Sequence, residues 1–339
     1  MVHLGPSESK GGMSSVISIL VENPPDGWSS NEISTHSDSG LIAKFREFLK
    51  ARKKLINLIR CNEIDIAHIH VTHSLSWWRK KIFIEMCHKN GIPVVVHIHS
   101  GMFDVFCKGV AGKSVSRTLN RNGIKVVLLE ERWIERLKTW IPDDAQVVLN
   151  SSKRTVKREN KECKENISLL LAARNSRIKG HNFALEIITS LEEMGKKSTL
   201  TMTGISRIPK SFKLQDSVKA LGWISENDKR AILKEVDFVL VPSEYEGSSM
   251  VVIECIVNRI PCIVSPASSQ TIGIEKLVVP LERPGDWARR IIEISGSEQY
   301  VLLNEELSKL AEKYSIERAK IKFGEIYSEL IENTSIDDS

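Results

Sequence analysis

Two glutamates eight residues apart, Glu246 and Glu254, sit in the segment Phe238–Ser265, F-V-L-V-P-S-E-Y-E-G-S-S-M-V-V-I-E-C-I-V-N-R-I-P-C-I-V-S. An apolar run ends at Pro242-Ser243, a short loop carries Glu246 and Gly247, and a helix is expected to begin near Ser249 and carry Glu254. Free N–H groups at a helix start, with the positive end of its dipole, can hold a phosphate or sugar oxygen. One carboxylate ahead of the helix and another about a turn inside it can accept hydrogen bonds from two separate sets of hydroxyls. Alone, the pair also describes a plain helix start with favourable acidic residues. Upstream, Leu170–Gly180, L-L-A-A-R-N-S-R-I-K-G, offers two cations, Arg174 and Lys179. Either residue singly reads as a solvated charge. The chain has no D-x-D triplet, so no metal is expected at this site.

Two H-x-H triplets, His68-Ile69-His70 and His97-Ile98-His99, each fall near the end of a strand-like run. Residues two apart on a strand share a face, so either pair could bind a metal. Neither has an evident third ligand nearby in the chain, and packing explains His70 equally well. The loop G-P-S-E-S-K-G-G-M at residues 5–13 carries Gly11 and Gly12, which would let backbone approach a phosphate closely; a flexible turn fits it equally. Gly109–Ser114, G-V-A-G-K-S, is not a phosphate loop, because Cys107 occupies the position of its first glycine.

Positioning these residues requires regular elements, and the chain alternates them. Strands are expected at Val2–Leu4, Ile64–Val71, Pro93–His99, Val126–Leu129 and Gln146–Leu149, with helices from Met13 and over Leu41–Cys61, Trp78–Asn90 and Trp133–Trp140. The brevity of the first strand leaves the sheet edge open. After a polar, Lys- and Glu-rich linker at Asn150–Asn166 the pattern restarts. Strands follow at Ile167–Ala172, Ser198–Thr203, Val218–Leu221, Phe238–Val241 and Pro261–Ser265, with helices at Asn182–Met194, Asn227–Glu235 and Met250–Val257. Helices run from Gly285 onward, ending in a long one over Ile316–Ile331. Alternation at this spacing implies parallel, doubly wound sheets in two domains with a ligand-binding cleft between them. The boundaries expected are 1–150 for the first domain and 151–314 for the second.

At 339 residues the chain exceeds what one core usually supports. Hydrophobic residues at 41% and charged residues at 27% exclude a disordered chain. Six cysteines without a CxxC pair suit a reducing cytosol, no signal peptide is expected, and apolar runs fall far short of a membrane span. The net charge of +5 is uneven: residues 41–125 hold 16 Lys/Arg against five Asp/Glu, a local excess of +11. Such a patch usually meets phosphate, a membrane surface or nucleic acid. Within it, Leu41–Arg60 mixes apolar positions with seven basic residues and one Glu, and Trp77-Trp78-Arg79-Lys80-Lys81 follows. A core helix with a solvated basic back and a surface for anionic lipid fit this equally.

The E-x7-E segment resembles the signature of retaining glycosyltransferases of the GT-B fold, especially glycosyltransferase family 4. Leu170–Gly180 looks like the family's strand and basic pair, Leu200–Gly204 like its strand ending in glycine, and Ala220–Ile224, A-L-G-W-I, like its F-L-G-x-V. Tyr314-Ser315 and Tyr327 resemble the terminal helix that folds back onto the first domain, over about residues 315–335. The resemblance implies an α/β GT-B fold, two Rossmann-like doubly wound domains facing across a cleft. It assigns Arg174 and Lys179 to the donor diphosphate, Glu246 to the donor sugar, Glu254 to the nucleotide ribose and His99 to donor contacts. Gly11, Gly12, Gly204, Ile224, Gly247, Ser248, Ser249 and Met250 would complete the donor-contacting set. Ser248-Ser249 depart from the aromatic or glycine that often follows E-G in the family.

The function expected is therefore a metal-independent retaining transfer of a hexose-type sugar, from a nucleoside diphosphate sugar to a glycan or lipid-linked acceptor, in polysaccharide or glycolipid synthesis. The donor is a substrate and no cofactor is expected. The enzyme would be cytoplasmic, with an anionic membrane surface among its partners and no nucleic acid. The rivals are a nucleotide-sugar epimerase of the same fold, which needs no acceptor, and an inactive basic module docking on membranes or nucleic acid. Intact Arg174, Lys179, Glu246 and Glu254 weigh against the latter.

Overall fold

The computed structural model describes residues 1–7, 11–36, 40–156, 163, 165–209 and 217–337. The chain divides into two compact units, Met1–Ser151 with Ile316–Ser339, and Ser152–Ser315. Of the expected linker, residues 157–162 and 164 lie outside the described residues.

The first unit is built on strands β1 (Val2–Gly5), β2 (Asn31–Ser34), β3 (Ala67–Val71), β4 (Val94–Ile98), β5 (Ile124–Leu128) and β6 (Gln146–Val147). They pair in the order β2-β1-β3-β4-β5-β6, all parallel. Parallel strands need crossovers, and helices on both faces bury the middle strands throughout; β3, β4 and β5 are buried at every position. The helices are α1 (Gly12–Glu22), α2 (Leu41–Arg60), α3 (Leu75–His88), α4 (Phe103–Phe106), α5 (Gly112–Leu119) and α6 (Arg132–Leu137). Aromatic contacts place α2, α3 and α4 side by side: Phe48 meets Phe83 with ring centroids 5.4 Å apart, and Trp77 meets Phe103 at 5.8 Å.

The second unit holds β7 (Ile167–Leu171), β8 (Ser198–Met202), β9 (Val218–Ala220), β10 (Phe238–Val241) and β11 (Cys262–Val264). Their order is β11-β10-β7-β8-β9, again all parallel. The helices here are α7 (His181–Glu193), α8 (Glu226–Glu235), α9 (Met250–Val257), α10 (Ser269–Ile272), α11 (Pro284–Ile294) and α12 (Ser297–Ala311). The last helix, α13 (Ile316–Asp337), returns to the first unit, where Phe323 and Tyr327 lie against His68.

Several expectations are corrected. Strand β2 is additional to those expected, and it makes β1 an interior strand. The 103–119 stretch, unassigned from sequence, forms α4 and α5 around a turn at Cys107–Ala111 that kinks at Gly109. Helix α3 starts at Leu75 instead of Trp78. Trp77 and Lys80 turn inward, so the Trp77–Lys81 run is only partly a surface feature. The Lys80 ammonium donates to Leu4 O at 2.9 Å and Thr35 Oγ1 at 2.5 Å, and burial drives its pKa well down.

Candidate functional site

In the second sheet β7 and β10 are neighbours, yet the chain leaves β7 toward β8 and β10 toward β11. The departing loops diverge, and a crevice opens at the carboxyl ends of these two strands, the usual ligand position in doubly wound sheets. Arg174 and Lys179 follow β7; Glu246 follows β10. The loops are tied together: Glu244 N–H donates to Ile178 O at 2.9 Å, and Gly180 lies against Pro242. Gly180 has φ +72°, and a Cβ there would sit 2.4 Å from Pro242 O, so glycine is required twice over.

The Lys179 ammonium donates to Glu246 Oε1 at 2.6 Å, with both side chains largely covered. Arg174 is exposed, with no ion-pair partner among the described residues. Gly204, at the end of β8, approaches the backbone of 173–174 so closely that a Cβ would lie 2.0 Å from Ala173 O. Its N–H donates to Gly222 O at 2.6 Å, and Gly222 N–H donates to Ile205 O at 2.7 Å. Gly204 thus shapes the loop that presents Arg174. Ile224 is half-buried just ahead of α8, whose first turn is capped by Ser225 Oγ accepting from Asp228 N–H at 3.1 Å.

Helix α9 is eight residues long and starts after Ser249, with no side chain capping it. Gly247 and Ser249 are buried, Ser248 and Met250 half-buried. The Ser248 hydroxyl is buried without a hydrogen-bond partner among the described residues, which leaves a donor and acceptor beside uncapped N–H groups. Glu254, within α9, accepts from Lys229 Nζ at 3.0 Å, and Lys229 also reaches Glu226 at 2.9 Å. Burial raises the Glu254 pKa against the opposing pull of Lys229. Burial works against the Lys229 charge, but Glu254 and Glu226 outweigh it and raise its pKa, so the ammonium persists. Sequence reasoning misses Lys229; its one signal is its place three residues after Glu226 on a helix whose other side chains are mostly exposed. Two ion pairs thus stand in this half, Lys179–Glu246 on the loops after β7 and β10 and Lys229–Glu254 between α8 and α9, with Arg174 exposed on the β7 loop.

In the first unit Gly11, with φ 145°, precedes α1 and Gly12 begins it; Glu8, Ser9 and Lys10 of that loop lie outside the described residues. His99 follows β4, and its neighbours form a layer that sequence did not reveal. Register pairs His3 with His68 and His70 with His97, so His3, His68, His70, His97 and His99 line one face of β1, β3 and β4. His3 Nδ1 lies 3.1 Å from His70 Nε2, His70 Nδ1 2.9 Å from His99 Nε2, and His68 Nε2 3.2 Å from His97 Nδ1. His68 Nδ1 meets the Tyr327 hydroxyl at 2.7 Å. The expectation that the H-x-H pairs lack a third ligand is therefore overturned: His3, His68 and His70, and likewise His70, His97 and His99, bring ring nitrogens within 4.8 Å of one another. Each 3 Å contact is equally a hydrogen bond between neutral imidazoles, one nitrogen donating and the other accepting. Burial lowers the pKa of all five rings, to about 3 for His3 and His99. His99 is neutral at pH 7 and offers a hydrogen bond, not a charge.

Residues 166–296 match the family model of glycosyl transferases group 1. A protein of Klebsiella pneumoniae known as an uncharacterized 41.2 kDa protein in the cps region is 23% identical over 350 residues, covering 87% of this chain and 89% of that one. Sucrose-phosphate synthase from Thermosynechococcus elongatus superposes with a TM-score of 0.72 at 14% identity, covering 97% and 98% of the two chains. HepE of Anabaena, in complex with UDP-glucose, gives 0.73 at 12% identity over 97% and 99%. A glycosyltransferase from Rickettsia africae gives 0.71 at 17% identity over 98% and 99%. The fold is GT-B, as the sequence resemblance implied, and family match and fold together support a glycosyltransferase.

Proposed function

We propose that the chain transfers a hexose-type sugar, with retention, from a nucleoside diphosphate donor to a glycan or lipid-linked acceptor in the cytoplasm. The carrying observation is the set of Arg174, Lys179, Glu246 and Glu254 at the switch point of the second sheet, within the segment that matches group 1 glycosyl transferases. Two relatives in fold support the donor class: HepE binds UDP-glucose, and the pneumococcal O-GlcNAc transferase GtfA was solved with UDP and GlcNAc. The cps-region relative supports a role in polysaccharide synthesis.

In this reading Arg174 and Lys179 hold the diphosphate and take up the charge that develops on it as the glycosidic C1–O bond breaks. No metal is required. Donor hydroxyls satisfy Glu246 as Lys179 turns to phosphate, Glu254 accepts from the ribose with Lys229 holding its carboxylate, and the Ser248 hydroxyl and the N–H groups opening α9 meet the remaining oxygens. His99 donates a hydrogen bond to the transferring sugar. With no covalent nucleophile assigned, the acceptor hydroxyl attacks C1 on the face the diphosphate leaves. Its proton passes to the departing phosphate oxygen.

Arg174→Ala and Lys179→Ala test the site by nucleoside diphosphate released from a panel of donor sugars. Each should lower turnover by about 10²–10³, from roughly 3–4 kcal/mol of lost transition-state stabilisation. Near-normal turnover in both variants would overturn the assignment.

A further inference from the structure

Helices α2 and α3 expose large apolar side chains in the same pattern. On α2 these are Ile42, Phe45 and Leu49; on α3 they are Leu75, Trp78 and Ile82. Both sets follow i, i+3, i+7 spacing, which at about 100° per residue confines each to an arc of about 60°. The exposure is large at the helix starts, 80% for Ile42, 61% for Phe45 and 78% for Leu75. The opposite sides of the two helices already serve the core through Ala51, Leu55, Trp77, Phe83 and Ile84. The exposed stripes therefore have no packing role within their own unit. Helical geometry places Arg52 on one flank of the α2 stripe and Arg46 and Lys53 on the other. None of these three has an ion-pair partner among the described residues, whereas Glu47 of α2 is paired with Lys50 and Glu85 of α3 with Arg121. On α3, Lys81 reaches over the Trp78 ring at 5.9 Å, and Lys89 continues along the stripe.

We propose that α2 and α3 dock the protein on an anionic bilayer, with Ile42, Phe45, Leu75 and Trp78 entering the interface and Arg46, Arg52 and Lys53 meeting lipid phosphates. Apolar side chains flanked by unpaired cations match the two layers of such a surface, hydrocarbon beneath and anionic headgroups above. The exposed cations Arg46, Arg52 and Lys53 provide the charge complementarity. No helix among the described residues is long and apolar enough to cross a membrane, so the contact is peripheral. The inference rests on the proposed function only in making the membrane the place where a lipid-linked acceptor is met. The docking itself needs no donor.

Co-sedimentation of the full chain with vesicles of phosphatidylcholine alone, or with 30% phosphatidylglycerol, tests it. We expect binding to the anionic vesicles at low salt and at least a tenfold loss of affinity in 0.5 M NaCl, since screening removes the headgroup attraction. The Ile42→Ser/Phe45→Ser/Trp78→Ser and the Arg46→Gln/Arg52→Gln/Lys53→Gln variants should each bind at least tenfold more weakly, with melting temperature and UDP affinity as in the wild type. UDP affinity and vesicle binding are read separately, so the docking and donor readings can fail independently. The proposal is overturned if the wild type ignores anionic vesicles at low salt, or if both variants, folded, bind like the wild type. A dimer in sedimentation velocity that the serine variant abolishes, without vesicle binding by the wild type, would overturn it in favour of a second copy.

Discussion

Acidification should unfold the first unit steeply, because its histidine layer has to stay neutral. His3 is 1% exposed, and burial, aided by the N-terminal ammonium, lowers its pKa from 6.5 to about 3. A group with a depressed folded pKa leaves the unfolded chain binding more protons at intermediate pH. Stability is therefore whole above about pH 6.5 and is lost as pH falls toward 3. At pH 5 His3 alone costs about 2 kcal/mol relative to pH 8. His68, His70, His97 and His99 shift the same way, from burial first and from neighbouring positive charge second. Adjacent rings cannot both be doubly protonated across a 3 Å contact without opposing N–H groups. His3 and His99 each add a loss of about 1.4 kcal/mol per pH unit below roughly pH 5.5, against a typical total stability of about 5–15 kcal/mol, and the other three rings push the same way. Urea unfolding at half-unit steps from pH 7.5 to 5.0 measures this by tryptophan fluorescence, since Trp28, Trp77, Trp78, Trp133 and Trp140 lie in the first unit and only Trp223 and Trp287 in the second. His3→Gln should make the slope shallower by about 1.4 kcal/mol per pH unit. A midpoint constant from pH 7.5 to 5.0, or a slope His3→Gln leaves unchanged, would refute the reasoning.

Lys229→Met should weaken UDP binding about tenfold by calorimetry while leaving the fold intact, because Glu254 loses the cation that holds it ionised; unchanged affinity would remove Lys229 from the site. Gly180→Ala should cost at least about 2 kcal/mol in urea unfolding of the second unit, from a strained φ and a Cβ forced onto Pro242 O. If Arg174 and Lys179 hold the diphosphate as proposed, activity should survive EDTA; full dependence on added magnesium or manganese would contradict that.

The alternation of the fold is legible in the sequence because buried parallel strands are apolar runs bounded by loops, whereas Arg174, Lys179, Glu246 and Glu254 are picked out by the family resemblance of their segments. The remaining features leave little trace in the sequence, for physical reasons. Asn31–Ser34 buries only Ile33, so an edge strand with one inward side chain shows no apolar run. Residues 103–119 break their helical period at Gly109. Lys229 looks like any surface lysine in E-N-D-K-R until α8 is set beside α9. The H-x-H pairs show their shared face by spacing alone, but their convergence depends on β3 pairing with β4, and the approach of His3 on β1 pairing with β3, properties of strand order that no local window contains.

The return of α13 to the first unit has a consequence for synthesis. Residues 152–315 form a contiguous unit that is synthesised whole before α13. The unit made first waits for α13, because Phe323 and Tyr327 cover His68. Until that helix emerges, His68 lacks the rings of Phe323 and Tyr327, and His97 that of Phe323. The unit begun first is thus completed only after the whole of the other has been synthesised.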